Sequence, residues 1–116
     1  MAYSSGISGA FNPTGNTVTF LANTTPPTSV QSFTVSNTSY CQYRIFNSGS
    51  NLVFLGWGNT ATIANNNAVV VTTTAASVIP VLPGSLEIIS APSNTFFNGI
   101  TSSGNSQVYI TPGLGI

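Results

Sequence analysis

Only two side chains in this sequence of 116 residues, Arg44 and Glu87, carry a formal charge. A globular domain of ordinary composition carries charges on about a quarter of its residues. The helix formers Lys and Glu are therefore almost missing, and Thr, Asn, Gly and Pro are frequent in their place. Thr suits strands, whereas Asn, Gly and Pro favour tight turns. The composition therefore predicts short strands joined by turns.

The spacing of apolar residues supports an all-β fold. Short runs with alternating apolar residues or β-branched enrichment are bounded by turn residues, and no run repeats with the 3.6-residue period of a helix. The runs lie at 17–22, 32–36, 40–47, 52–57, 61–64, 68–74, 78–82, 85–90 and 107–111. From them we predict one antiparallel β-sandwich or jelly roll of about eight short strands.

Two neighbouring runs give the clearest local predictions. The run at 40–47 alternates, with Cys41, Tyr43 and Ile45 together on one face of the strand. The run at 52–57 is apolar on both faces, which is typical of a central buried strand. Because a turn sequence lies between the two runs, we predict that they pair as a hairpin.

Proline and glycine positions refine this prediction. Two prolines make residues 23–28 a loop, because proline cannot donate to a strand ladder. Pro80 lies inside the run at 78–82 and for the same reason indicates an edge strand or a bulged strand. The dipeptide Asn98-Gly99, between short runs at 95–97 and 100–101, favours either a tight turn or a bulge.

The N-terminal residues are rich in Gly, Ser and Asn, with only isolated large apolar side chains. We predict a flexible N-terminal arm at 1–16 and a β-sandwich domain at 17–116. Chain ends of this composition are usually disordered on their own. The alternative is an arm that docks on a neighbouring subunit through its apolar anchors, which are Tyr3, Ile7 and Phe11.

The inventory of reactive side chains excludes most catalytic chemistry. The sequence contains no His, Lys or Asp, a single Glu and a single Cys. Acid–base and nucleophilic catalysis use these groups, and Cys41 has no histidine to activate it. Zn²⁺ and Ca²⁺ need several Cys, His or carboxylate ligands. We therefore expect no enzyme activity, no metal and no other cofactor, with Cys41 buried in a strand.

Charge also limits the partners. With one cation, the chain lacks the basic surface that nucleic-acid binding requires. No apolar run reaches the ~20 residues of a membrane helix, and the N-terminus lacks the regions of a secretory signal. We therefore expect neither nucleic acid nor a membrane as partner, and synthesis in a cytosol. A net charge near zero gives no repulsion between copies, which favours an assembled state.

Arg44 and Glu87 both lie in predicted strands that could be neighbours in a sheet. One interpretation is a mutual ion pair, which would leave the rest of the surface neutral. The alternative is that each charge is solvated independently or contacts another subunit. A surface ion pair would contribute only about 0–1 kcal/mol to stability.

Several aromatic side chains are candidates for contacts with a partner. Trp57, Phe96 and Phe97 are predicted to lie at a protein interface or in the core, where large aromatic side chains are common. Together with Tyr109 they could instead form a platform that stacks on a sugar. We favour the core or interface interpretation.

Three segments resemble a known group of proteins. They read YRIFNSGS at 43–50, PVLPGSLE at 80–87 and ITSSGNSQVYITPGLG at 100–115. Together they resemble small virion proteins of tailed bacteriophages, in which an RIxNxGS strand, a PGSxE turn and a C-terminal SGxxxxYxTPGxG strand recur. The resemblance covers residues 40–116.

The group comprises capsid decoration, or cement, proteins. The resemblance implies a jelly-roll subunit on the outer surface of a virion capsid, with a homotrimer favoured, that stabilises the shell by bridging subunits of the major capsid protein. It carries no catalytic residues. The alternative function is a receptor- or glycan-binding module of a phage head or tail fibre.

Overall fold

Residues 11–34, 39–72 and 76–115 are described by the computed structural model of the chain. Within them the chain forms nine strands and one helix. In chain order these are β1 (Asn12–Pro13), β2 (Val18–Ala22), β3 (Val30–Gln31), β4 (Tyr40–Asn47), β5 (Val53–Gly58), α1 (Ala61–Asn67), β6 (Ile79–Val81), β7 (Leu86–Pro92), β8 (Phe96–Ile100) and β9 (Ser106–Leu114).

The strands form two antiparallel sheets that pack on each other. Sheet A has the order β1-β9-β4-β7, and β2 also pairs with β9. Sheet B has the order β3-β8-β5-β6. The predicted all-β sandwich is therefore confirmed. The strand that contains Pro80, β6, is an edge strand as predicted.

The pairing pattern is that of a jelly roll. β2 pairs with β9, β3 with β8, β4 with β7 and β5 with β6. These four pairs make one long antiparallel ribbon whose tip is the β5–β6 connection. The ribbon wraps so that β4 also pairs with β9 and β5 with β8, which gives two layers. A double-sheet arrangement of eight strands in this order is a jelly roll, and β1 adds a short strand at one edge.

Side chains from both sheets fill the space between them. The β4 residues Cys41, Tyr43 and Ile45 are buried there, which confirms the predicted alternation. The ring of Tyr43 meets the ring of Phe97 from sheet B edge to face, with the centroids 4.9 Å apart. Such aromatic pairs contribute about 0.5–1.5 kcal/mol beyond the area they bury. This contact therefore links the two sheets at the centre of the core.

A short helix covers the outer face of sheet B. α1 packs on β5 so closely that a Cβ atom on Gly56 would lie 2.6 Å from main-chain atoms at the end of the helix. A Cβ atom on Gly58 would lie 2.3 Å from the Ile63 side chain. The helix begins after Thr60, whose Oγ1 atom accepts a hydrogen bond from the N–H of Ile63. Thr60 thus acts as an N-cap.

The strands predicted at 61–64 and 68–74 are wrong. Residues 61–64 lie in α1, and 68–72 form no strand, while 73 and 74 lie outside the described residues. The helix buries only Ala64 and has no charged side chain. It therefore lacks the apolar stripe from which an amphipathic helix is recognised. Instead, the glycines of β5 leave room for a helix here, and the Thr60 N-cap stabilises its first turn.

β4 and β5 do not form the predicted hairpin. β4 lies in sheet A and β5 in sheet B, so the chain between them crosses from one sheet to the other. β4 leaves one face exposed, whereas β5 is covered by the core on one face and by α1 on the other. The two strands therefore belong to different layers of the sandwich.

Asn98-Gly99 is neither a turn nor a bulge, because it lies in the middle of β8 and pairs in unbroken register with β5. The Asn98 Nδ2 group donates to Pro27 O at 2.7 Å and to Ser29 Oγ at 3.0 Å, in and after the predicted loop at 23–28. Gly99 faces the core, where a Cβ atom would lie 2.8 Å from the Phe20 ring. The hydrogen bonds of Asn98 on one face of β8 and the close packing at Gly99 on the other explain this dipeptide.

The sandwich begins earlier than the sequence predicted. β1 pairs with β9, and the N–H of Thr14 donates to Pro112 O at 2.9 Å. Residues 12–14 are therefore part of sheet A or bonded to it. The arm predicted at 1–16 is too long for this reason, and residues 1–10 lie outside the described residues.

The buried side chain of Asn47 joins two crossings between the sheets. The chain crosses from β4 to β5 and from β6 to β7 at the same end of the sandwich. The Asn47 Nδ2 group donates to Asn51 O in the first crossing, at 2.8 Å, and to Val81 O at the end of β6, at 2.9 Å. The Oδ1 atom accepts from the N–H of Gly49 at 3.1 Å. One amide therefore satisfies main-chain groups of both crossings.

We expect Asn47→Ala to lower the free energy of unfolding by about 2–4 kcal/mol, because buried main-chain groups lose their partners. Asn47→Asp keeps the shape but cannot donate, so the loss should be at least as large. Asn66→Ala, at an exposed position of α1, is the matched control and should change stability by about 0.5 kcal/mol or less. Chemical denaturation measures all three. Losses at position 47 no larger than in the control would contradict this role.

The phenol of Tyr43 is a second buried polar group. Its hydroxyl donates to Pro92 O at 2.7 Å and accepts from the N–H of Thr95 at 3.3 Å. Burial, aided by the neighbouring Cys41 thiol, raises the pKa of Tyr43 from 10.0 to about 12. The folded chain therefore holds this proton more tightly than the unfolded chain does.

This raised pKa predicts a loss of stability in alkali. Because the folded pKa lies above the unfolded one, the stabilisation is fully present below pH 10 and is lost as the pH rises towards 12. Urea denaturation at a series of pH values should show the free energy of unfolding falling in this window, and Tyr43→Phe should flatten the fall. An equally steep fall in Tyr43→Phe would show that other groups cause it.

Candidate interface on the outer face of sheet A

The outer surface of sheet A consists of even-numbered residues of β4 and β7 and odd-numbered residues of β2 and β9. The strand register arranges their side chains in rows across the sheet. One row contains Leu86, Phe46, Tyr109 and Thr19. The next row contains Ile88, Arg44 and Thr111. We call this surface the A face.

The A face concentrates the exposed apolar side chains of the molecule. Ten large apolar residues are exposed in the described part of the chain, and six of them lie here, each between 38% and 61% exposed. These six are Leu21, Tyr40, Phe46, Leu86, Ile88 and Tyr109. Single exposed apolar residues are ordinary, but a contiguous group of them marks an interaction surface or a binding groove.

The lone cation lies in the middle of the A face. Arg44 has Ile88 on one neighbouring strand and Thr111 on the other. A shallow cavity of about 390 Å³ beside it is lined by Arg44, Phe46, Leu86, Tyr109 and Thr111. The guanidinium therefore lies at the wall of an apolar depression.

Phe11 approaches the same cation from the β1 edge. The Arg44 Cζ atom lies 5.8 Å from the centre of the Phe11 ring, within cation–π distance. A Cβ atom on Gly113 would lie 2.3 Å from this ring, so glycine at 113 lets the ring contact β9. Phe11 thus packs on its own chain. The other two anchors predicted for the arm, Tyr3 and Ile7, lie outside the described residues.

The structure does not bring Arg44 and Glu87 together. Their strands are neighbours, as expected, but the register pairs Arg44 with Ile88 and Glu87 with Ile45. Directly paired residues lie on the same face of a sheet, and Ile45 is buried in the core. Arg44 therefore lies on the A face, whereas Glu87 projects from the opposite face, where it is exposed on edge strand β7. The two charges are separate.

The other predicted interface aromatics lie in sheet B. Phe97 is fully buried and contacts Tyr43, so it is a core residue and unavailable to a partner. Trp57 is partly buried against the core, and Phe96 is partly exposed. Because Tyr109 lies on the A face, Trp57, Phe96, Phe97 and Tyr109 do not form one shared platform for a sugar.

Sequence reasoning missed most of the A face. Phe46, Leu86 and Ile88 are apolar residues in strands, and such residues are assigned to the core by default. The available signal was the position of Arg44, because residues two apart in a strand lie on the same face. Phe46 therefore shares the face of the charged Arg44, opposite the core-facing Tyr43, and is exposed.

The A face offers contact area rather than reactive groups. In residues 11–34, 39–72 and 76–115, no three His, Cys, Asp or Glu side chains lie together as a metal site. No helix of the described chain is long and apolar enough to span a membrane. Cys41 is free and, as predicted, buried. Apolar side chains, hydroxyl groups and one guanidinium are the components of a protein-binding surface.

Comparison of the chain with protein-family models, curated proteins and solved structures finds no match. The interpretation of the A face therefore depends on its own geometry. Six exposed apolar side chains, one cation and a shallow cavity are brought together on one layer of the sandwich. This surface is the strongest candidate for function in the described part of the chain.

We expect the A face to bind an environment-sensitive apolar dye. Phe46→Thr combined with Leu86→Thr keeps strand propensity and should lower dye fluorescence severalfold, with a stability loss of about 2 kcal/mol or less. Phe33→Thr is the matched control, because Phe33 is 62% exposed but lies outside sheet A. Fluorescence titration measures the effect. An equal decrease in the control would show that the dye does not prefer the A face.

Proposed function

We propose that this protein is a structural subunit of a bacteriophage virion, which decorates the capsid and stabilises it by bridging subunits of the major capsid protein. The observation that carries the proposal is the A face, an exposed apolar surface on a jelly roll with almost no charge. Jelly rolls occur in viral capsid proteins and in lectins. The resemblance of residues 40–116 to decoration proteins points in the same direction.

The surface chemistry supports a role in assembly. The chain carries one positive and one negative side chain, so neighbouring copies on a lattice do not repel each other. Thr19, Ser90 and Thr111 supply neutral hydroxyl groups beside the apolar residues of the A face, as at the rim of a protein interface. The sequence supplies no histidine, lysine or aspartate for catalysis.

The second candidate function is glycan binding by a head or tail fibre module. One observation favours it: Phe46 and Tyr109 are direct neighbours across β4 and β9, and both are about 40% exposed beside the cavity. Aromatic rings with hydroxyl groups nearby, here Thr19 and Thr111, offer stacking and hydrogen bonds to a sugar ring.

Co-sedimentation with capsids tests the proposal. Empty capsids of the encoding phage, prepared without this chain, should bind it to saturation at a fixed stoichiometry and become more resistant to heat. The Phe46→Thr and Leu86→Thr double variant should bind at least about tenfold more weakly, which corresponds to about 1.4 kcal/mol. The Phe33→Thr variant should bind as the original chain does.

Two results would overturn this proposal. Wild-type chain that does not saturate the capsids would exclude decoration, whatever the variants do. If such a chain is instead retained on immobilised bacterial glycans, and Tyr109→Ala abolishes that retention, the fibre-module function would take its place.

A further inference from the structure

We propose that the A face receives the β6–β7 edge of a second copy of this chain, with Arg44 of one copy paired to Glu87 of the next. The inference rests on the proposed role as an assembled subunit, and it assigns the contribution of the A face to capsid binding to contacts between neighbouring copies on the shell. It uses the two charged side chains of the sequence, both of which are exposed.

The charges cannot satisfy each other within one copy. Glu87 pairs in register with buried Ile45, and Arg44 pairs with Ile88, so the two side chains leave sheet A on opposite faces. Because the chain has one carboxylate side chain and one guanidinium, a charge-complementary contact between copies must join Arg44 of one to Glu87 of another.

The position of Arg44 argues against a face-to-face dimer. Arg44 lies near the middle of the A face, and the residues around it are apolar or neutral. A symmetric contact of this face with itself would bring two guanidinium groups together without a carboxylate, and juxtaposed like charges oppose association. A heterologous contact, in which different surfaces of the two copies meet, avoids this repulsion.

The β6–β7 edge has the complementary chemistry. β6 is the edge strand of sheet B and β7 that of sheet A, and the turn at 82–85 joins them on one side of the sandwich. Leu82, in this turn, is 60% exposed, and Glu87 is exposed in β7 just after it. An apolar side chain and a carboxylate on one edge match a shallow apolar cavity with Arg44 at its wall.

This edge is built for docking rather than for strand addition. β7 pairs only with β4 in the described chain, so its outer main-chain groups are available. A charge on the inward side of an edge strand and prolines within or at the end of that strand oppose pairing with another strand. Glu87 lies on the inward side of β7, Pro92 ends β7, and Pro80 is the middle residue of β6. The neighbour is therefore met through side chains.

Reversal of the charges tests this contact. Sedimentation velocity should show a concentration-dependent oligomer of the wild-type chain, and Arg44→Glu or Glu87→Arg should weaken its association by about tenfold or more. The double variant that exchanges the two charges restores opposite signs and should recover association to near the wild-type level. Leu82→Thr should weaken association without any effect on charge.

Controls separate assembly from folding and from net charge. Both charged residues are exposed, and the variants at Arg44 lose only its cation–π contact with Phe11, so the thermal midpoint of each variant should stay within about 5 °C of that of the wild type. Thr62→Glu, on the exposed side of α1 away from both surfaces, adds a charge and should leave association unchanged. Charge-reversed variants that associate as the wild type does, or an exchange variant that fails to recover, would overturn the inference.

Capsid binding distinguishes this inference from the proposed function. If self-association is lost on charge reversal and recovered on charge exchange, but the chain does not bind capsids, the result would support the inference and overturn decoration. A wild-type chain that binds capsids yet stays a monomer at every concentration would overturn the inference and support decoration. If Arg44→Glu abolishes capsid binding and leaves self-association intact, the carboxylate belongs to the capsid protein and the inference is overturned.

Discussion

The buried amide of Asn47 is the interaction on which the jelly roll depends. A jelly roll requires the ribbon of paired strands to pass between layers near its tip, and main-chain groups lose their ladder partners at each crossing. Asn47 meets this requirement for both crossings, because it donates to Asn51 O and Val81 O and accepts from Gly49. The main chain of Asn47 also bonds to the turn before β7, because its N–H donates to Ser85 O and its carbonyl accepts from the N–H of Gly84. Together with the core packing between the sheets, these bonds fix β4 and β7 relative to β5 and β6.

That relation gives β4 its two roles. One face of β4 supplies Tyr43 to the core, where it contacts Phe97 of the other sheet and donates to Pro92 O. The opposite face supplies Arg44 and Phe46 to the A face. Since β4 is held between β7 and β9, these side chains are presented on a rigid layer. The A face is therefore the side of sheet A that faces away from the core, and its apolar side chains are exposed and available to a partner.

The sequence predicted the sandwich and the buried face of β4 because alternation in strands is a local property, readable from residues 40–47 alone. Longer-range features were not readable in this way. The helix at Ala61–Asn67 depends on glycines in β5 that admit it, and the separation of Arg44 from Glu87 depends on register between strands distant in sequence. The A face was missed because an apolar strand residue such as Leu86 gives the same sequence pattern whether it faces the core or a partner.

The most direct test of this account is the accessibility of A-face side chains before and after assembly. Hydroxyl-radical footprinting with mass spectrometry can follow Phe46 and Tyr109, with Phe33, 62% exposed and outside sheet A, as an internal reference. We predict that oxidation of Phe46 and Tyr109 falls strongly in the assembled protein and that oxidation of Phe33 is unchanged. Equal oxidation of Phe46 and Tyr109 in the free and assembled protein would contradict the assignment of the A face as the assembly surface.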